Sequence, residues 1–215
     1  MKNKLAIHEL NRLSETEFVF RFEDLFNTAL CIPVISGAAG MRPFSDALDC
    51  LNCILAQFDR TDFSDMLEIM RNYGIPGGGL SNAPTAFSKI EQRGAGLGQY
   101  QRSACDVSRL DGLFQAHRAK FSFNFVLSVK RRSNEQVMAS LEKRIANDFE
   151  TEFLANIMQI KRIAFVRLIE IIEFTDDERE RCCFKYPDEY ERYIQGKRKE
   201  FESEFGPQAQ QGEED

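Results

Sequence analysis

Glu150-Thr-Glu-Phe-Leu-Ala-Asn-Ile-Met-Gln-Ile-Lys-Arg-Ile-Ala-Phe-Val-Arg-Leu-Ile-Glu-Ile-Ile-Glu-Phe174 is the stretch that decides the fold. Phe153, Ile157, Ile160, Ala164 and Ile171 recur at intervals of three, four and seven residues. That is the period of a helix with one buried face, not the alternation of a strand. Arg167 falls on the same stripe, where an apolar residue is due. A guanidinium is costly to bury alone, so it needs either an internal carboxylate or an anionic ligand. Periodicity by itself favours the internal ion pair.

Working outward, most other patterned segments have the same period. Ile7 to Leu13 fits a short first helix. Ser14-Glu-Thr-Glu17 is a capping box leading into Phe18, Val19, Phe22, Leu25 and Phe26. Cys31 to Arg42, with Pro33, Gly37 and Gly40, reads as a loop. Ser45 is placed to cap a helix carrying Leu48, Leu51, Leu55 and Phe58. Thr61 or Asp62 starts another with Phe63, Met66, Leu67 and Met70. Leu110, Leu113, Phe114 and His117 fit a helix ending near Lys120, in which His117 reads as a packed helix residue rather than a catalyst. Phe121-Ser-Phe-Asn-Phe-Val-Leu-Ser-Val129 alternates and is rich in aromatic and β-branched residues. A lone strand makes no sheet, so an extended segment buried between helices is expected. Ser133-Asn-Glu-Gln136 is a second capping box, and Asn147-Asp148 separates its helix from the long one. The expected fold is all-α.

The 215 residues fit one domain with an appendage, and a 43% hydrophobic content supports a sizeable core. Trp is absent and Phe numbers 19, so the core is expected to be built on Phe, Leu and Ile. The net charge of −6 supplies no broad basic surface, which speaks against general nucleic-acid binding. Lys130-Arg-Arg132 is the one local basic patch. No run approaches a membrane span and no apolar signal core is present, so a cytoplasmic protein is expected. Six cysteines include Cys50-Leu-Asn-Cys53, a spacing that can serve redox or metal chemistry. It lies inside an amphipathic helix with no second Cys/His pair at suitable spacing, so reduced, buried thiols and no metal site are expected. From Thr175 the chain becomes charged. Residues 1–174 are read as the helical domain and 175–215 as a charged extension with an acidic tail.

One stretch points to chemistry. After the Gly- and Pro-rich segment from Tyr73 to Pro84 comes Ser88-Lys-Ile-Glu-Gln-Arg-Gly-Ala-Gly-Leu97. Helical spacing puts Ser88, Glu91 and Gln92 on one face, where a hydroxyl, a carboxylate and an amide can grip a small molecule rich in N–H and C=O groups. The same Ser-x-x-Glu is also a capping box. A glycine-rich loop before a helix can cradle phosphate, but the Gly-Lys-Ser/Thr pattern and the preceding strand are missing.

Taken in order, several segments resemble one family. They are Leu10-Asn-Arg-Leu-Ser-Glu-Thr-Glu-Phe18, Arg42-Pro-Phe44, Ser88-x-x-Glu-Gln92 with Ala95-Gly-Leu97, and Arg118-Ala-Lys-Phe-Ser-Phe-Asn-Phe125. Arg144-x-Ala-Asn-Asp148, Ile160-x-Arg-Ile163 and Val166-Arg-Leu168 complete the set. Over residues 7 to 173 the chain resembles the 2-oxo-4-hydroxy-4-carboxy-5-ureidoimidazoline (OHCU) decarboxylases of urate breakdown. The resemblance implies an all-helical homodimer that works without metal or organic cofactor on a urate-derived heterocycle. It implies that Glu91 and Gln92 bind the ring and ureido groups beside Ser88. The segment at Phe123 and Phe125 would lie against the substrate, and Arg167 would meet its carboxylate. Two departures stand out. Where the family carries a catalytic His in a His-Pro-Asp-Leu motif, this chain has Tyr73-Gly-Ile-Pro76, or Asn72 in a register shifted by one. Where it carries Phe-Gly-Phe-Pro-Phe, this chain has Ser122 and Asn124. Neither Tyr nor Asn titrates near neutral pH.

The expected function is therefore loss of CO2 from a ureidoimidazoline carboxylate, with Glu91 and Tyr73 as catalytic candidates. The alternatives are a non-catalytic ligand- or partner-binding protein on the same fold, and a lyase for a different carboxylated heterocycle.

Overall fold

The computed structural model describes residues 4–26, 28–74, 104–130 and 132–182. Regular structure among them is helical. The helices are α1 (Ile7–Leu10), α2 (Glu15–Phe22), α3 (Ile32–Ala39), α4 (Ala47–Phe58), α5 (Phe63–Asn72), α6 (Ala104–Phe121), α7 (Asn134–Ile145), α8 (Phe149–Ile171) and α9 (Asp176–Arg181). A 3-10 turn, Ala29–Cys31, leads into α3. The β-type pairing described is one isolated parallel bridge, Leu5 to Ile172.

The stretch that opened the reading is the axle of this arrangement. Fifteen of the 23 residues of α8 are buried, on every side of the helix. A helix buried all round lies inside the protein rather than on its surface. The main core gathers Phe18, Phe22, Phe26, Phe58 and Phe153 with Ile160, Ala164 and Leu168. A smaller cluster forms where α6 and α7 pack, around Leu110, Phe114, Val137 and Leu141. Residues 121–129 run between the two. Phe121, Phe123 and Val126 face the main core, while Phe125, Leu127 and Val129 face the smaller one. The apolar side chains of one parity thus pass from the main core to the smaller cluster part-way along the segment, after Phe123.

Three family-like motifs act here as ties between segments. The Asn11 side chain exchanges two hydrogen bonds with the backbone of Phe44, Nδ2 to O at 2.8 Å and N to Oδ1 at 2.9 Å. Arg42 donates through Nε to the carbonyl of Ala39 at 2.8 Å, and through Nη1 to the carbonyl of Leu13. It also lies over the Phe18 ring. Lys120 donates to the carbonyls of Ile145 and Asn147, fastening α6 to the end of α7.

Some local readings need correction. Cys31 to Arg42 is not a loop: α3 runs through it. Pro33 stands in the first turn, where a missing N–H leaves no hydrogen bond unmade. Gly37 lies within α3 facing α4, where a Cβ would come within 2.8 Å of the Gln57 side-chain oxygen. Asp46, not Ser45, caps α4, its Oδ1 accepting from Asp49 N at 2.7 Å. Ser45 instead donates to the Asp49 carboxylate. Asp62 caps α5, and α6 begins at Ala104, earlier than the polar run to Ser108 suggests.

Thr175, where the composition shifts, is the N-cap of α9. This helix packs on α4, and Cys182 beyond it belongs to the main core. Glu178 is the clasp. Its carboxylate accepts from Thr175 N at 2.6 Å and from Ala47 N at 2.7 Å, the latter an otherwise orphaned donor at the start of α4. Glu178→Ala leaves a buried N–H without its acceptor. A stability loss of about 2 kcal/mol is expected, read as a melting temperature lowered by roughly 5 °C. A melting curve identical to the parent's would mean that water replaces the carboxylate at no cost.

Candidate functional site

The extended segment has backbone groups that need partners, and no neighbouring strand is described. Side chains of α8 and α7 serve instead. Asn156 Nδ2 donates to the carbonyl of Asn124 at 2.9 Å, and its Oδ1 accepts from Val126 N at 2.9 Å. Gln159, one helical turn on, accepts from Ser128 N at 3.0 Å. Arg144 Nη1 donates to the carbonyl of Val126 at 2.8 Å. Asn156 and Gln159 thus present amide groups to the segment much as a neighbouring strand would.

Arg144 is held in turn. It forms a bidentate pair with Glu152, at 2.7 Å and 3.1 Å, donates to Asn156 Oδ1 at 2.8 Å, and stacks on Phe125 with 4.4 Å to the ring centroid. His117 Nε2 lies 2.7 Å from Glu152 Oε1, and Asn147 donates to Glu152 Oε2 at 2.8 Å. Glu152 and His117 are fully buried. Burial raises the Glu152 pKa, but hydrogen bonds from His117 and Arg144 and the Arg144 charge outweigh it, leaving the carboxyl below its ordinary value. As an ionised acceptor, Glu152 fixes the His117 proton on Nε2. The imidazole packs among Phe121, Phe123 and Phe125, which agrees with the reading of His117 as a packed helix residue.

The other end of the segment meets α5. Asn124 N donates to the carbonyl of Met70 at 3.3 Å, and Nδ2 donates to the carbonyls of Arg71 at 2.8 Å and Tyr73 at 2.9 Å. Asn124 and Ser122 both shape this junction. A proline at position 124 could make none of these bonds. Ser122 sits at φ 61°, the left-handed region where glycine carries no steric cost.

Of the sequence-derived candidates, Tyr73, Phe123 and Phe125 are all buried, and Asn124, between the two phenylalanines, donates to the Tyr73 carbonyl. Ser88, Glu91 and Gln92 lie outside the described residues. Arg167 is on the same face of α8 as Asn156, eleven residues or about 16 Å along the axis. It is 2% exposed, and Nη1 donates to the carbonyls of Asp24 at 2.8 Å and Leu25 at 3.4 Å. These bonds join α8 to the end of α2, a backbone partnership that neither sequence reading of Arg167 contained. The reading also passed over Asn156, Gln159 and Glu152. Their signal was present: three polar side chains in a helix too apolar to spare that much of its surface.

Other candidate chemistry is tied up or absent. Lys130 pairs with Glu170 at 2.8 Å, and Arg132 donates to the carbonyl of Ser128. Cys31, Cys50, Cys53 and Cys182 are free thiols. Burial pushes Cys31 up to about 12 and Cys50 higher still, while Cys53 is raised by burial and by Asp49. Thiols so disfavoured as thiolates are poor nucleophiles. Among the described residues no group of three or more His, Cys, Asp or Glu could hold a metal ion, and no helix is long and apolar enough to cross a membrane.

The all-helical fold agrees with what similarity to known proteins shows. The family model described as OHCU decarboxylase matches residues 11–169. This chain belongs to the OHCU decarboxylase family. It is 29% identical over 172 residues to the 2-oxo-4-hydroxy-4-carboxy-5-ureidoimidazoline decarboxylase of Amia calva, covering 79% of this chain and 95% of that one. It is 26% identical over 168 residues to the Haloferax volcanii protein of the same name, covering 78% and 96%. A uric acid degradation bifunctional protein of Bacillus sp. (strain TB-90) is 27% identical over 167 residues, 78% of this chain but only 32% of that protein, so the chain spans about a third of its length. Two crystal structures share the fold. An (S)-allantoin synthase has a TM-score of 0.64 at 16% identity, covering 80% of this chain and 56% of that one. An OHCU decarboxylase crystallised in the presence of (S)-allantoin has 0.57 at 17%, covering 71% and 97%.

The buried Glu152 yields a pH prediction. Its folded pKa lies below its unfolded value near 4.5, so its stabilisation is complete above that value and is lost as the pH falls through the folded pKa. Urea titrations of the parent should show stability falling below about pH 4.5, and Glu152→Gln should flatten that fall. At pH 7 the same substitution leaves Arg144 buried without its counter-charge, with an expected cost of about 3–5 kcal/mol. Equal pH dependence in the two proteins would assign the acid lability to other carboxylates.

Proposed function

We propose that this protein is a cofactor-free decarboxylase that converts OHCU to allantoin in urate breakdown, acting in the cytoplasm as a homodimer. The observation that carries the reading is the junction made by Asn124. It clamps the end of α5, with Tyr73, onto the Phe123–Phe125 segment, the two described elements that the family resemblance places beside the substrate. Family membership over residues 11–169 and relatives named for this activity support it.

In this reading Glu91 and Gln92 hold the ring and ureido groups, with Ser88 beside them. Phe123 and Phe125 wall the pocket and exclude water. Arg167 supplies positive charge to the substrate carboxylate, and charge-assisted N–H donors suit that role. The reaction breaks the C–CO2 bond, leaves the electron pair on the heterocycle and requires a proton in return. Tyr73 stands in for the family imidazole. A phenolic O–H donates a hydrogen bond, so Tyr73 serves as a hydrogen-bond donor and acid rather than as a base.

Turnover is therefore expected to be slow relative to a relative with His, since a general acid–base group contributes about 10²- to 10⁴-fold. Tyr73→His combined with Gly74→Pro should raise the rate of CO2 release from freshly generated OHCU above that of the parent. Glu91→Ala should weaken allantoin binding by roughly 1–3 kcal/mol, measured by calorimetric titration. Binding without turnover in both proteins would favour a non-catalytic binding protein on the same fold. Binding and turnover both absent, with Glu91→Ala indistinguishable from the parent, would reduce Ser88-x-x-Glu-Gln to a helix cap and sink the reading.

A further inference from the structure

Asn124 is 93% buried, on a fractional exposure of 7%. Its carboxamide orientation is settled by geometry. Nδ2 faces two carbonyl oxygens, those of Arg71 and Tyr73, and the flipped amide would set oxygen against oxygen. The backbone on both sides is fixed as well, by Met70 O on Asn124 N and by Asn156 on Asn124 O. The side chain therefore has little freedom left. Yet its Oδ1 is buried and accepts no hydrogen bond among the described residues. An unsatisfied buried acceptor is costly, and amides in protein interiors are normally paired. Asn147 and Asn156, the other asparagines of this region, spend their side chains on internal partners.

We propose that Asn124 Oδ1 is a ligand acceptor, receiving a hydrogen bond from a ring or ureido N–H of the bound heterocycle. The assignment rests on the functional reading above and adds a contact to it. A pre-oriented acceptor next to Tyr73 and between Phe123 and Phe125 selects for ligands with a donor at that point. It rejects those that place an acceptor or a methyl group there, because the amide cannot rotate without losing both of its carbonyl partners. Asn124 then does two things with one side chain: it holds the end of α5 with its nitrogen and reads the ligand with its oxygen.

The test is a cycle that varies protein and ligand together, which separates contact from general damage. Allantoin and its N-methyl derivatives are titrated against the parent, Asn124→Ala and Asn124→Thr. The threonine retains a hydroxyl for one of the two carbonyls if the alanine variant does not fold, and thermal melts and circular dichroism establish folding. In the parent, methylating the contacted nitrogen should weaken binding roughly ten-fold. In the variants allantoin itself should bind roughly ten-fold more weakly, and the same methylation should cost little more. Methylation costing the parent and the variants equally would overturn the assignment and leave Asn124 a purely structural clamp. Unchanged allantoin affinity in Asn124→Ala would overturn it too. A parent that neither binds allantoin nor releases CO2 from OHCU would remove the functional reading, and this assignment with it. A parent that binds or turns over, with variants that show no coupling, removes this assignment alone.

Discussion

The structure depends on how an extended chain is buried without a sheet. Residues 122–129 cross the interior with backbone donors and acceptors that cannot be left unmade. Their partners are Asn156, Gln159 and Arg144, all projecting from helices. Placing those polar groups inside has its own requirement, since Arg144 is charged, and Glu152 meets it through a bidentate pair reinforced by His117 and Asn147. At its centre Glu152, His117 and Asn156 are fully buried. The segment is therefore fixed in register between α7 and α8, and what it offers to α5 at its other end is fixed with it.

Legibility in the sequence followed from how local the cause was. The capping boxes at Ser14 and Ser133 and the helical period of α8 are encoded within a few residues, and they appear as expected. The extended character of 121–129 was also local. Its partners were not, because Asn156 and Gln159 lie about thirty residues away and look in sequence like interruptions of an apolar face. The α3 misreading has the same origin. Pro33 and Gly37 break helices on average, but here one stands in a first turn and the other faces the Gln57 side chain of α4. Arg167 shows the limit of charge arithmetic: a buried guanidinium suggested a carboxylate or an anion, and backbone carbonyls at the end of α2 are among its partners.

The same distinction applies to the candidate site. The family-like residues Asn11, Arg42, Phe44, Lys120, Arg144 and Asn147 are ties between elements. They preserve the architecture whatever the pocket does. At the junction of α5 with the extended segment, Asn124 makes bonds a proline cannot and Ser122 takes a backbone angle that glycine adopts without steric cost.

Glu178 carries a further implication for the order in which the molecule is made. Its carboxylate completes the first turn of α4 from 131 residues downstream, and Leu5 is bridged to Ile172 in the same region. On the ribosome, α4 emerges early with its first donors facing water. It waits for nearly the whole helical region to be synthesised before that end is sealed. A nascent chain stalled anywhere before α9 therefore exposes the same open helix end, a common mark by which incomplete copies differ from finished ones.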